Sequence, residues 1–148
     1  MAEAMKEAKK ALEKGEVPVG AVVVLNGAVI ARAHNTKEST HDPTAHAELT
    51  ALRKAARKLG NWRLKHTTLY VTLEPCIMCM GAMVQARVSR LVFASFDPKA
   101  GACGSLYDVS SDTRLNHRIR VTSGVLDDEA GRLLKGFFTR LRRKKDGR

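Results

Sequence analysis

Thr68-Leu69-Tyr70-Val71-Thr72-Leu73-Glu74-Pro75-Cys76-Ile77-Met78-Cys79 is the stretch that decides the fold. Its first six residues, rich in β-branched and aromatic types, have the length of one short strand. The strand runs straight into Glu74-Pro75-Cys76, and an apolar helix follows over about Ile77 to Arg87. Residues three apart on a helix lie about 300° round, so Cys76 and Cys79 project only about 60° from each other. Both sulfurs can therefore reach one point at the strand–helix junction.

Working outward from that junction gives the rest of the domain. Residues 2–14 have helical periodicity and stop at Gly15. Val17 to Leu25 is too apolar for a strand with one wet face, which predicts burial on both faces of a sheet. Asn26-Gly27 is a strong hairpin signal, and Ala28 to Ala33 is the antiparallel return strand. A polar stretch, His34 to Thr44, leads into a helix from about Ala45 to Leu59, closed by Gly60. Beyond the central junction, Arg90 to Ser95 reads as a strand. The glycine-containing loop Asp97–Ser105 is expected to open into a short helical piece, and a last strand is expected at about Ile119 to Val125. Asp127-Asp128-Glu129 begins a C-terminal helix with its acids where the helix dipole favours them. The order predicts an α/β fold, with helices on both faces of a five-stranded mixed sheet. Without internal repeats or a linker, residues 1–148 read as a single domain.

Composition narrows the function classes. No apolar run approaches the roughly 18 residues that span a bilayer, and the N-terminal stretch lacks the apolar core of a signal peptide. A soluble, cytoplasmic protein without a membrane partner is expected. The 148 residues carry 26 Lys and Arg against 15 acids, a net charge of +11. Between Arg132 and Arg148 eight basic residues face one acid, a local charge of +7. Such an excess favours a polyanionic partner, because neutralised phosphates release condensed counterions. A solvated helix face explains the same residues equally well. Three cysteines, two of them spaced Cys76-x-x-Cys79, point to metal or redox chemistry rather than a disulfide framework. Cys103 has no partner at ligand spacing and reads as a small buried residue.

His46-Ala47-Glu48 supplies what the two cysteines lack. His46 is a third ligand of a type zinc accepts, and three protein ligands leave the fourth position for water, as in catalytic rather than structural zinc sites. His46 and Glu48 would face about 200° apart on a regular helix. They converge only if the helix starts there and its first residue departs from helical geometry. The expected site is thus Zn2+ at the mouths of two helices, with Glu48 as the one carboxylate near enough to move protons.

His46-x-Glu48 with Pro75-Cys76-x-x-Cys79 resembles the signature of the cytidine-deaminase-like zinc deaminases. The chain is most similar to their bacterial tRNA adenosine deaminase branch. That likeness runs nearly end to end: Gly15 to Ala21, His34-Asn35, Asp42 to Glu48, Tyr70 to Cys76, Asp97 to Ala102, Gly104 to Leu106, Asn116 to Arg118, and Gly136-Phe137-Phe138 before a basic tail. The resemblance implies a three-layer α/β/α fold and hydrolytic conversion of the wobble adenosine to inosine in an arginine tRNA with an ACG anticodon. It implies zinc on His46, Cys76 and Cys79, and proton transfer by Glu48. It also implies that Asn35 meets the flipped adenine, that Asp97 and Lys99 meet the anticodon loop, and that Phe138 and Arg140 flank the RNA. A homodimer with the substrate site beside the partner subunit belongs to the same picture, and Met78, Met80, Met83 and Val84 offer a contact for it. Plainer roles stay open: Asn35 as a turn residue, the phenylalanines as anchors of the last helix, and the methionines as packing against the sheet. A deaminase of free guanine, cytidine or a nucleotide shares the zinc chemistry but leaves the basic tail unexplained. A non-catalytic RNA-binding protein with structural zinc leaves Glu48 unexplained.

Overall fold

The computed structural model describes residues 1–147. In chain order the elements are α1 (Ala2–Glu13), β1 (Gly20–Leu25), β2 (Ala28–His34), α2 (Lys37–Thr40), α3 (Ala47–Leu59), β3 (Thr67–Leu73), α4 (Ile77–Ala86), β4 (Arg90–Ser95), β5 (Arg120–Thr122) and α5 (Asp127–Asp146). The strands form one sheet ordered β2-β1-β3-β4-β5. β1 pairs antiparallel with both β2 and β3, whereas β3–β4 and β4–β5 are parallel. This is the five-stranded mixed sheet flanked by helices that the element order predicts.

Each strand alternates between two faces, and each face has its own cover. Ala21, Val23, Leu69, Val71, Leu91 and Phe93 point into the main core, where they meet α3 through Ala47 and Ala51 and α4 through Met80 and Met83. The opposite face carries Ala94, which packs with Met5 of α1 and Ala130 of α5. Burying side chains such as Leu69 and Phe93, both fully inaccessible, stabilises the fold by about 1.5–3 kcal/mol each. The three layers are therefore α1 and α5, the sheet, and α3 with α4.

The hairpin between β1 and β2 forms at Asn26 and Gly27, with φ of 51° and 77°. Two successive left-handed residues match the twist of the flanking strands. Several boundaries differ from expectation for local reasons. β1 begins at Gly20 rather than Val17, since Pro18 has no N–H to give a ladder. The polar stretch before α3 holds a one-turn helix, α2. No helix forms between Asp97 and Ile119. There the side chains of Asp97, Asp108 and Asp112 each accept the N–H two residues on, from Lys99, Ser110 and Arg114. Such local bonds offer the backbone turns in place of a helix. The last strand is only three residues long and is followed by Gly124 at φ 83°.

Close approach of α1 to β1 depends on small residues. Ala4, Ala8 and Ala11 are fully buried, and a Cβ placed on Gly20 would overlap the Ala4 carbonyl oxygen and the Ala8 amide nitrogen. Backbone atoms cannot swing aside, so Gly20→Ala must push α1 off the sheet. The expected loss is about 1–3 kcal/mol of stability, read from the midpoint of a chemical denaturation curve. A midpoint equal to the parent's would show that α1 is not seated as described.

Candidate active site

Two helix mouths on the same face of the sheet build the site. β3 ends by delivering Cys76, which caps α4 with extended dihedrals of φ −75° and ψ 174°. His46 caps α3 in the same way, at φ −77° and ψ 148°. Because His46 stands outside the helix while Glu48 lies in its first turn, their side chains converge despite their spacing of two. Cys79 sits one turn inside α4 and is fully buried.

His46 Nδ1 lies 3.7 Å from Cys76 Sγ and 3.5 Å from Cys79 Sγ, and all three ligand atoms fall within 4.8 Å of one another. A tetrahedral ion with N and S bonds near 2.0 and 2.3 Å would separate its nitrogen and sulfur ligands by about 3.5 Å. The observed distances fit that requirement. Among the described residues this is the one His, Cys, Asp or Glu group so disposed.

The electrostatics are those of a site arranged for a cation. The Cys79 thiol donates to Cys76, and the His46 ring adds a second hydrogen bond, so Cys76 is held down at about 4. Cys79 is pushed up in turn by its bond to Cys76 and by burial. Of the two sulfurs, Cys76 is thus the one whose thiolate the surroundings favour. His46 is raised, mainly by its hydrogen bond with Cys76. Glu48 is only 4% exposed. Burial pushes its carboxyl up, and its own backbone N–H, His46 and the Cys79 thiol offset part of that rise.

The remaining expected residues divide into two groups. Asn35 belongs at the site: its Oδ1 accepts the Ala47 N–H at 2.8 Å, between His46 and Glu48, and its own N–H donates to the Val19 carbonyl. It caps α3 from outside the helix rather than serving as a simple turn residue. Asp97 and Lys99 sit on a loop drawn against the site, because Gly101 bridges to Cys76 and the Ala102 N–H donates to the Pro75 carbonyl at 2.8 Å. Phe138 and Arg140 lie apart from the triad on α5, in the layer across the sheet. Both are exposed, and Phe138 packs edge-on against Phe137. Arg140 lines an open groove of about 510 Å³ with Arg132 and Lys135.

Met80, Met83 and Val84 are buried within the single chain. Packing against the sheet therefore accounts for them, and they are not free to meet a second copy. Met78 and Ile77 keep exposed surface. His117 makes a structural contact, with Nε2 2.6 Å from the Val88 carbonyl oxygen. The sequence reading passed over Glu16 and Glu74, both buried. Each accepts backbone N–H groups from a segment beside the site: Glu16 from Glu38 and Ser39 in the first turn of α2, Glu74 from Asp97, Cys103 and Ser105 of the following loop. For Glu74 the signal was present, since its carboxylate interrupts an otherwise apolar segment.

The family model of the MafB19-like deaminases matches residues 1–142. A tRNA-specific adenosine deaminase of Bacillus subtilis (strain 168) is 55% identical over 145 residues, 98% of this chain and 90% of its own. The chain belongs to this deaminase family. A solved structure from work on A-to-I editing by tRNA:A34 deaminases at the wobble position superposes with a TM-score of 0.88 at 45% identity, covering 90% of this chain and 97% of that one. Guanine deaminase from Nitrosomonas europaea shares the fold at a TM-score of 0.80, but at 25% identity over 92% of this chain and 81% of its own. The deaminase fold thus extends to free-base enzymes, while the higher identity lies with the tRNA enzymes.

Cys76 should be the reactive thiol once metal is removed. In chelator-treated protein its alkylation rate is expected to stay flat from about pH 6 to pH 8, because a thiol held near 4 is already ionised there. An ordinary thiol gains roughly tenfold per pH unit below its pKa of about 8.5. Cys103, buried and pushed up to about 11, should remain unmodified. Mass spectrometry of the alkylated peptides reads both, and a Cys76 rate that climbs with pH would refute the proton arrangement described.

Proposed function

We propose that this protein hydrolytically deaminates the wobble adenosine of tRNA to inosine, acting on an arginine tRNA with an ACG anticodon. The observation that carries the reading is the convergence of His46, Cys76 and Cys79 beside the buried Glu48, in a chain 55% identical to a tRNA-specific adenosine deaminase. Residues 1–148 form one deaminase domain in this reading. Its place of action is the cytoplasm; no helix among the described residues is long and apolar enough to cross a membrane.

His46, Cys76 and Cys79 would hold the zinc, which when bound would supply the activation of water as the nucleophile. Glu48 moves the protons. Its carboxylate accepts one from the attacking water and gives it to the ring nitrogen beside the attacked carbon, then takes the second from the newly added hydroxyl and passes it to the amine, which leaves as ammonia as the carbonyl forms. Burial of Glu48 keeps bulk water from competing for that proton. Asn35 has committed its oxygen to the Ala47 N–H, so its NH2 group remains to donate to the adenine ring. Asp97 and Lys99 approach the anticodon loop from the loop tied to Cys76. Phe138, Arg140 and the basic groove on α5 take the flanking RNA backbone. An unpaired anticodon loop lowers the cost of drawing the base out of its stack. A second copy completes the assembly, seated on the groove between α3 and α4 that Leu49, Ala56, Trp62 and Ala82 help to line.

Zinc-loaded protein incubated with transcribed arginine tRNA bearing an ACG anticodon is expected to form inosine, detected by nucleoside mass spectrometry. Glu48→Gln should keep fold and zinc and lose rate by between about 100-fold and 10,000-fold, whereas Cys76→Ser should lose the metal as well. No inosine from saturating loaded protein would overturn the reading.

The basic tail separates substrates. Removing the residues after Arg140 should cripple turnover of tRNA and leave any activity on a free base or nucleoside untouched. Equal losses on both would show that the tail serves folding rather than RNA.

A further inference from the structure

We propose that Glu74 is a positioning residue. Its buried carboxylate clamps the 97–105 loop onto the Cys76 turn, so that the loop presents a fixed face to the RNA bases beside the target adenosine. The assignment rests on the tRNA reading above and adds a residue that the chemistry of that reading does not use.

Glu74 follows the last residue of β3 and is 2% exposed. A carboxylate has about four acceptor positions, and here four donors meet it. Oε1 accepts the Asp97 N–H at 2.9 Å and the Ser105 hydroxyl. Oε2 accepts the Cys103 N–H at 3.0 Å and the Ser105 N–H at 3.1 Å. Among the described residues no Lys, Arg or His pairs with it. Burying an uncompensated charge is costly, so the loop's own donors are what hold this one in place. The bonds reach the loop near its start and at its end, which closes it around a single side chain.

The closure is tight. A Cβ on Gly101 would overlap the carboxyl carbon and both oxygens of Glu74, so a side chain there would have to displace the clamping carboxylate. From its other side Gly101 bridges to Cys76, and its carbonyl accepts the Leu106 N–H at 2.9 Å. One carboxylate thus joins the Cys76 turn to a loop flanked on either side by Phe96 and by Leu106 and Tyr107, each more than half accessible. Exposed aromatic faces next to Asp97 and Lys99 are the kind of surface on which unpaired bases stack. Fixed in advance, such a surface binds without first ordering a loop.

The test compares Glu74→Gln and the milder Ser105→Ala with the parent in three measurements. Amide hydrogen exchange at Asp97, Cys103 and Ser105 should accelerate by roughly tenfold in Glu74→Gln, the scale of one lost charge-assisted bond, while amides of β1 and β3 keep their protection. Zinc should remain at one ion per chain. KM for an anticodon stem-loop should rise by roughly tenfold with kcat falling far less, the signature of lost substrate positioning. Ser105→Ala should move exchange and KM in the same directions by smaller factors, and it decides the matter if Glu74→Gln does not fold. An active parent whose folded variants keep their KM, or whose loop amides keep their protection, overturns the clamp alone. A parent that forms no inosine overturns the tRNA reading instead, and the two failures are told apart by the parent's own activity.

Discussion

Three ligand atoms from two chain segments must arrive within bonding distance of one point, and that requirement organises the molecule. His46 comes from the head of α3 and the sulfurs from the head of α4, yet they lie 30 and 33 residues apart in sequence. They meet because α3 and α4 pack on the same face of the sheet, with β1 and β3 adjacent beneath them. Both helices then open at the same edge, where β3 ends. An extended N-cap is the local device that makes this work. A helical residue would carry its side chain round the cylinder, whereas a cap residue in extended conformation holds its side chain across the helix mouth. The partial positive charge of the helix ends adds to the effect by favouring thiolate.

Carboxylates show how differently one functional group can be used within a small domain. Glu48, Glu16 and Glu74 are all nearly inaccessible. Burial opposes the charge on each, but the outcome depends on who supplies donors. Glu16 and Glu74 each lie below the ordinary carboxylate range, because N–H groups and hydroxyls, of α2 for the one and of the 97–105 loop for the other, outweigh burial. Glu48 lies above it, since its surroundings satisfy it less fully. The first two are suited to holding neighbouring segments and the third to exchanging a proton. Site chemistry here is thus set by the inventory of backbone amides as much as by the acids themselves.

The centre was largely legible from sequence because its residues follow short local rules. Cys76-x-x-Cys79 places two sulfurs on one helix face, and His46-x-Glu48 makes sense only at a helix start, where the structure puts it. The hairpin at Asn26-Gly27 and the helix stop at Gly60 are equally local, each a left-handed position. What escaped was long-range or competitive. α2 is a single turn among polar residues, too short for any periodicity. A short helical piece is expected after the Asp97–Ser105 loop, but Asp97, Asp108 and Asp112 turn the backbone elsewhere. Met80 and Met83 were ambiguous because an apolar helix looks the same whether it faces a sheet or a partner; only the closed core decides.

Glu74 marks the limit of such reading most clearly. In sequence it is one charged residue in an apolar strand end, and local rules would call it a defect. Its donors are 23 to 31 residues away, in a loop without regular structure, so no periodicity announces them. Yet its position is constrained from both sides: two residues on lies Cys76, and across from it Gly101 has no room for a side chain. A carboxylate is the one side chain that can accept four donors while offering none of its own. Glutamine would set its NH2 against an N–H or hydroxyl it cannot accept, and leucine would leave all four donors unpaired. A charge in an apolar run next to a metal ligand is therefore a reason to look for the loop that needs it.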